Sequence, residues 1–507
     1  MTFIFYLRFL RYHFCVILRK RGFISCLSLF SLFGFYRAVI FMPDHNSSAP
    51  SLQLSDFLAA FGLDYTDAKS LNIYHENGGV IVYLELNLKP HSCPVCLSST
   101  SKIKGYHLKI INHSVLNPLS CTIRYRARRF VCPVCGKTFY ENNPFISGKS
   151  RASVATVYNV LNELKRPEAT FTHVAAKYHM SASSVSNIFD KHIRPHRRTL
   201  PECLCFDETY AFKSRDSDYI CVLLDYTDKM IVDVLPSRRK RFLVDYFHNI
   251  SLKERKNVKY VSLDMWKTYR DVSKLMFPNC ICIVDKFHVL QELSRKVNRV
   301  RIDVMNKNKK IKDDLMKKKR LLNKDKHSLS PDDQFTLDNV SRNYYLLKKF
   351  DFVLFKNEER ISDPNYEKKF NKVLNRYCNL NDISHMIMDI DPLLAEAVNL
   401  KDIIHSFYRN TLHQDAKKEL ESIIILCRTS NVKGMQDFSN TLCEWKQEII
   451  NSFIKIPSIN RKMNNGLIEN KNKSIKLLKH SSNGYTNWNR FRARVLYSIN
   501  GDIPIKL

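Results

Sequence analysis

Between Pro201 and His288 the hydrophobic pattern switches repeatedly between a strand period and a helix period, and this order restricts the chain more than any other feature. CLCFDETY reads as a buried strand, DYICVLLDY as a second and KMIVDVLP as a third. KRFLVDYFHNI then reads as a helix, VKYVSLDMW as a fourth strand, Lys267 to about Met276 as a helix and NCICIVDKFH as a fifth strand. Asp207 ends the first apolar strand and Asp264 ends the fourth, so each carboxylate sits where a strand leaves the core.

Three strands able to pair antiparallel, followed by helix, strand, helix and strand, match the order of an RNase H-like α/β fold. In that fold the strands bearing Asp207 and Asp264 are neighbours. Two carboxylates projected together repel unless a pKa is strained or a cation is bound. Mg²⁺ or Mn²⁺ suits such oxygen ligands, and two ions together can activate an attacking hydroxyl and stabilise the leaving oxygen of a phosphodiester.

The charge balance points to the same substrate class. Lys plus Arg number 81 against 49 Asp plus Glu, a formal charge of +32, which a polyanion such as nucleic acid neutralises. None of the 12 glycines forms a phosphate-cradling loop, so no nucleotide cofactor is expected. The 15 cysteines show one regular spacing, C-x-x-C, which suits metal binding in a reducing compartment, and the expected location is the cytoplasm, with the nucleoid. Residues 1–42 are apolar and basic, but their longest uncharged run, Gly22 to Tyr36, is short for a membrane span. No membrane partner is expected, and Met42 is the expected start of the natural product.

After an amphipathic segment, Leu54 to Leu63, a hairpin is expected around Gly78 and Gly79. Cys93-Pro-Val-Cys96 and Cys132-Pro-Val-Cys135 then offer four thiolates for one structural Zn²⁺, a zinc ribbon, while His107 and His113 read as surface residues. Between the knuckles Arg124, Arg126 and Arg128 alternate along a strand, with Arg129 beside them, either tracking DNA phosphates or protecting a solvated edge. SVATVYNVLNELK reads as a helix. THVAAKYHMSASSVSNIFDKH reads as helix, turn, helix, with Val174, Ala175, Tyr178, Val185, Ile188 and Phe189 facing inward and Ser181 and Ser183 as N-cap candidates. Ser184, Ser186 and Asn187 are then free to face a DNA groove.

A third acid, Glu469, lies near the start of a helix bearing Lys471, Lys473, Lys476 and Lys479. By itself it reads as an acid placed favourably at a helix N-terminus. The stretch from about Arg301 to Asn460 carries long helical patterns, including MNKNKKIKDDLMKKKR, with eight basic and two acidic residues. Trp445 reads as core.

From about Leu54 onward the sequence resembles the DDE transposases of bacterial insertion sequences of the ISL3 type. The features that carry the resemblance are R-R-F-V-C-P-V-C-G-K-T-F (Arg128 to Phe139) after an earlier C-P-V-C, the F-D-E strand at Asp207, L-D-M-W-x-x-Y (Leu263 to Tyr269), V-D-K-F-H (Val284 to His288) and N-G-L-I-E-N-K-N-K-S-I-K from Asn465. The resemblance implies that Asp207, Asp264 and Glu469 form a metal-binding catalytic triad, with Asp285 and His288 as a supporting D-x-x-H element. Read alone, Asp285 equally caps a helix starting near Phe287. Asn472 and Lys476, on the helical face of Glu469, and Lys479 beyond them are candidates to meet DNA phosphate.

The expected organisation is an N-terminal extension (1–42), a zinc ribbon (43–145), a helix-turn-helix (146–200), an RNase H-like core in two parts (201–300 and 461–507) and a mostly α-helical insertion between them (301–460). The expected function is a transposase that binds the inverted-repeat ends of its element and performs metal-dependent cleavage and strand transfer on double-stranded DNA, as a homo-oligomer in the synaptic complex. The alternative is a non-catalytic DNA-binding protein or a decayed transposase.

Overall fold

The computed structural model describes Leu58 and residues 63–76, 78–114, 119–148, 150–213, 217–324, 327–356, 361 and 367–505. The N-terminal extension, the expected start at Met42 and most of the Leu54 to Leu63 segment lie outside these residues. The chain divides into two compact units, one reaching to Arg194 and including the tail from Asp502, the other spanning Pro195–Gly501.

In the first unit, β1 (Ala68–Glu76), β2 (Gly79–Leu86), β5 (Ile103–Asn112), β6 (Ser120–Val131) and β7 (Thr138–Tyr140) form one sheet in the order β1-β2-β6-β5, with β7 on β6. The short strands β3 (His91–Ser92) and β4 (Ser99–Thr100) pair around the first knuckle. β2 and β6 run parallel, while the remaining pairs of the large sheet are antiparallel. Along β6 the residues Cys121, Ile123, Tyr125 and Ala127 are buried with Val80, Val82, Leu84, Ile111 and Phe145, as a period of two requires for a one-sided core. Three helices follow: α1 (Val154–Glu163), α2 (Phe171–Lys177) and α3 (Ala182–His192). Each starts on a hydroxyl that accepts the third helical amide: Ser153 from Thr156, Thr170 from His173 and Ser181 from Ser184. Such a cap contributes about 1 kcal/mol. Val174, Ala175, Tyr178, Val185 and Phe189 are buried as their spacing predicts.

His113 departs from the surface position expected of it. It is only 4% exposed, and its Nδ1 lies 2.9 Å from Ser153 Oγ, at the cap of α1. Burial lowers its pKa to about 4. His107 is exposed.

In the second unit, β8 (Cys203–Tyr210), β9 (Tyr219–Asp225), β10 (Met230–Leu235), β11 (Tyr260–Leu263) and β12 (Ile281–Val284) form a sheet ordered β10-β9-β8-β11-β12. β9 runs antiparallel to both β10 and β8, whereas β8, β11 and β12 run parallel. Helices α4 (Lys240–His248) and α5 (Leu252–Arg255) connect β10 to β11, and α6 (Lys267–Met276) connects β11 to β12. Phe206 anchors one face of the sheet, with ring centres 5.7 Å from Phe247, 5.4 Å from Tyr269 and 6.4 Å from Phe277.

The helical region begins earlier than the boundary at residue 301. α7 runs unbroken over Lys286–Lys324 because that stretch holds neither glycine nor proline. Its buried stripe of Val289, Leu293, Val297, Arg301, Val304 and Asn308 follows helical spacing. α8 (Pro331–Lys349) packs back on it, and Arg301 donates across to the Leu347 carbonyl at 2.6 Å. A two-stranded ribbon, β13 (Lys369–Asn371) and β14 (Arg376–Cys378), precedes α9 (Leu380–Met388), α10 (Pro392–Asn410), α11 (Ala416–Thr429), α12 (Lys433–Glu444) and α13 (Lys446–Asn451). The chain then returns to the sheet through α14 (Gly466–Ser481), which contacts β8 and β9, and α15 (Trp488–Asn500), which contacts β10. Trp445 is buried, with the Arg270 guanidinium 4.2 Å from its ring centre.

Candidate active site

The register of the three parallel strands sets an interior position of β8 level with the ends of β11 and β12, so Asp207 lies within its strand and not at its end as expected, because β8 continues to Tyr210 in its pairing with β9. Cys205 pairs with Ser262, and Ser262 with Ile283. Two residues further along each strand stand Asp207, Asp264 and Asp285, so one carboxylate leaves each strand at the same level. Asp207 and Asp285 are buried, and Asp264 is partly exposed.

Their oxygens are held by amides and by one imidazole. Asn472 Nδ2 of α14 donates to Asp207 Oδ2 at 2.7 Å, and the Glu208 amide donates to Asp207 Oδ1 at 2.7 Å. Asn465, fully buried at the head of α14, donates from Nδ2 to Asp264 Oδ1 at 2.9 Å and from its backbone amide to Asp285 Oδ2 at 3.0 Å. Its own Oδ1 accepts from Ser262 Oγ at 2.6 Å. His288 Nε2, from the first turn of α7, lies 2.6 Å from Asp264 Oδ1. The Phe287 amide donates to Asp285 Oδ1 at 3.2 Å, so the capping contact expected of Asp285 is present beside its contact with Asn465.

Two adjoining groups of possible cation ligands result, linked by the contact between His288 and Asp264. Oxygens of Asp207, Glu208 and Asp264 lie within 4.8 Å of one another, as do ligand atoms of Asp285, His288 and Glu469. Glu469 therefore gathers with Asp285 and His288, and His288 in turn touches Asp264.

The electrostatics follow from burial and like charge. The Asp207 pKa is raised to about 7, first by burial and then by the charge of Asp264. Burial also raises Glu208. For His288, burial pulls the pKa down, but the hydrogen bond to Asp264 and the surrounding carboxylates outweigh it, and the net shift is upward. Arg238 donates to Glu208 while its guanidinium lies 4.4 Å from the Tyr219 ring centre and 4.8 Å from that of Trp266. A cleft of about 370 Å³, lined by Glu208, Arg238, Asp264, Trp266, His288 and Trp445 among others, opens beside these groups.

Residues 204–495, more than half of the chain and nearly all of the second unit, match the sequence model of a DDE transposase family of the ISL3 type, described as transposase. The chain belongs to the ISL3 family of DDE transposases. No curated protein matches it. Membership of a transposase family implies action on DNA and use of divalent metal.

In this transposase-family chain a second cluster lies in the first unit. Sγ atoms of Cys93, Cys96, Cys132 and Cys135 all lie within 4.8 Å of one another. Ser98 Oγ sits 2.9 Å from Cys96 Sγ and 3.0 Å from Cys132 Sγ. The Ser98 hydroxyl and nearby backbone amides lower the Cys132 pKa to about 6, favouring the thiolate that a metal requires.

The residues expected to touch DNA divide. Ser184, Asn187, Arg129 and Lys476 are exposed; Lys479 is half-buried with its Nζ 4.0 Å from the Tyr210 ring centre. Arg124 lies over Tyr83, and Arg126 lies over Tyr106 and pairs with Glu85 at 3.1 Å. Three of these ten need correction. Arg128 is 2% exposed, bound to Glu141 at 3.1 Å and Glu85 at 3.3 Å, because two acids on its face of the sheet cover it. Ser186 is buried, with its hydroxyl on the Ser183 carbonyl. Asn472 is buried on Asp207 and is not presented to phosphate. Glu208, Asn465 and Arg238 were not singled out as site residues by the sequence, although the F-D-E and N-G-L-I-E motifs contain the first two.

Proposed function

We propose that this chain is the transposase of an insertion sequence, binding the element's terminal inverted repeats and cutting and joining DNA with a metal-dependent RNase H-like core. The observation that carries the reading is the level alignment of Asp207, Asp264 and Asp285 on three parallel strands, with Glu469 and His288 brought to them from α14 and α7. The donor set fits divalent cations: buried acids crowd together, and burial first and the charge of Asp264 next raise the Asp207 pKa, a cost that a bound cation relieves. Asp207, Glu208 and Asp264 would hold one cation, and Asp285, His288 and Glu469 would supply ligands on the other side. When bound, such cations neutralise charge on the phosphodiester and lower the pKa of an attacking hydroxyl.

The chain's own residues orient and exchange protons. Asn465 and Asn472 fix the rotamers of Asp264, Asp285 and Asp207 without adding charge. His288 holds a proton at Nε2 against Asp264. In the first step a water oxygen bonds to the scissile phosphorus as the bond to the 3′-oxygen breaks; the water's proton leaves to solvent and the 3′-oxygen gains one. In the second step the oxygen of that 3′-hydroxyl bonds to a target phosphorus as the bond to a target 3′-oxygen breaks; the hydroxyl proton leaves to solvent and the displaced 3′-oxygen gains one. Bond count is conserved and no nucleotide triphosphate is consumed.

The first unit is the DNA-reading part in this proposal. A zinc ribbon on Cys93, Cys96, Cys132 and Cys135 stabilises its knuckles, and α2 and α3 act as a helix-turn-helix with Ser184 and Asn187 turned to a groove. Synapsis of two ends calls for a homo-oligomer. Among the described residues no helix is long and apolar enough to cross a membrane.

The test is incubation of the full chain with DNA bearing the terminal repeats, with and without Mg²⁺ or Mn²⁺. Nicking at the ends is expected only with metal and is expected to vanish in Asp264→Asn with DNA affinity retained. Metal-independent binding with no nicking by the unaltered protein would leave a DNA-binding protein without catalysis.

A further inference from the structure

Between α7 and α8 lies an open groove of about 820 Å³ whose walls include Lys312, Arg342, Tyr344, Tyr345, Lys348 and Lys349. Two ammonium groups flank one ring: Lys312 Nζ is 5.1 Å and Lys348 Nζ 5.4 Å from the Tyr344 centre. Lys349 Nζ stands 5.4 Å from the Tyr345 centre. Arg342, Lys348 and Lys349 are exposed. One acid, Asp338, also lines the groove, where it accepts from Gln334 at 2.8 Å, so the lining carries four cations against one carboxylate. Among the described residues none of the four cations pairs with a carboxylate. Nearby lysines of α7 do find partners: Lys318 meets Asp333 at 2.5 Å and Lys319 meets Gln334 at 3.1 Å.

Four cations held near one another repel unless anions lie between them, and ring contacts steady the ammonium groups without neutralising them. Two neighbouring polar side chains that could read a base edge are already engaged within the protein. Asn343 donates to Asn308 at 3.3 Å, and the Tyr345 hydroxyl lies 3.4 Å from Asn371 Oδ1. What the groove offers is positive charge with little hydrogen-bond discrimination, the combination that positions a phosphate backbone and reads no sequence.

We propose that this groove is an additional DNA site, gripping duplex backbone phosphates irrespective of sequence while the carboxylates act elsewhere on the same substrate. The choice of DNA among polyanions rests on the transposase reading above.

The experiment compares the full chain with K312A/R342A/K348A/K349A and, as a control, K318A/K319A. Affinity is measured on zinc-loaded protein without added Mg²⁺ or Mn²⁺ and without chelator, across a salt series, for two DNA duplexes of unrelated sequence, an RNA duplex, and phosphatidylserine–phosphatidylcholine vesicles. The fourfold variant is expected to lose at least about tenfold in affinity for both DNA duplexes, with the log–log salt slope flattened by about 3 to 4, since each phosphate contact contributes about 0.9. The control is expected to match the unaltered protein. Should the fourfold variant melt early, R342E and K348E tested singly carry the same prediction with slopes flattened by about 1. An unchanged slope and affinity for DNA overturns the proposal, as does a loss confined to one DNA sequence, to RNA or to vesicles. If the unaltered protein binds no duplex DNA, the transposase reading fails together with this one. A flat variant response alongside intact DNA binding sinks only the groove.

Discussion

Asn465 shows how much a single uncharged side chain can organise. Its side-chain amide meets Asp264 and Ser262, and its backbone amide meets Asp285, so it links two carboxylates that would otherwise repel. Asn465→Ala leaves the buried Ser262 hydroxyl without that acceptor and is expected to cost about 2 kcal/mol in urea unfolding. The same variant should cut DNA at least about tenfold more slowly with DNA affinity unchanged, a split that a purely structural role would not produce. His113 gives a separate handle. Its folded-state pKa of about 4 lies below the ordinary 6.5, so the unfolded chain binds the proton more readily. The stability due to neutral His113 is therefore complete above pH 6.5 and is lost as pH falls toward about 4. The loss amounts to at most about 3 kcal/mol, at 1.36 kcal/mol per pH unit. Denaturant midpoints measured across that window should fall more steeply for the unaltered protein than for His113→Gln; parallel curves would refute the assignment.

At the scale of elements, the two cysteine knuckles are built alike. The Leu97 amide donates to the Cys93 carbonyl at 3.0 Å and the Gly136 amide to that of Cys132 at 3.1 Å, and both residues are left-handed, with φ of 60° and 70°. Repetition of C-P-V-C announced this pairing because a knuckle is a local structure. Around Gly136 there is open space, so Gly136→Ala meets no neighbour, and its expected cost of about 1 kcal/mol is conformational. One zinc per chain is expected by elemental analysis of purified protein, and Cys132→Ser is expected to lose it; zinc retained in that variant would rule out the four-thiolate site. Strands β8 to β12 were likewise legible, since buried runs such as CLCFDETY and NCICIVDKFH carry their own period and turn signals. The start of the helical region was less so. Nothing in the sequence separates the end of the D-x-x-H helix from the insertion, because α7 carries its apolar stripe straight through Arg301.

Across the whole molecule, stability and chemistry meet in the second unit. A divalent cation that binds the folded carboxylates and not the unfolded chain should raise its melting temperature. The gain is about 3 kcal/mol at a hundredfold excess over Kd, and it is expected to disappear in the Asp207→Asn, Asp264→Asn double variant. A thermal shift that persists in that variant would place the cation elsewhere. The sequence by itself determined that β8 to β12 are strands, that Asp207 and Asp264 belong to the first and fourth of these apolar runs, and that four thiols come as two knuckles, because periodicity, turn chemistry and short spacings act over a few residues. Tertiary structure alone decided that Asp285 stands level with those two aspartates, that Glu469 meets Asp285 and His288, that Asn472 turns to Asp207 and that Arg128 is sealed between Glu85 and Glu141. Each of these depends on strand register or on helices returning from far along the chain, and such long-range pairing leaves no local period to read.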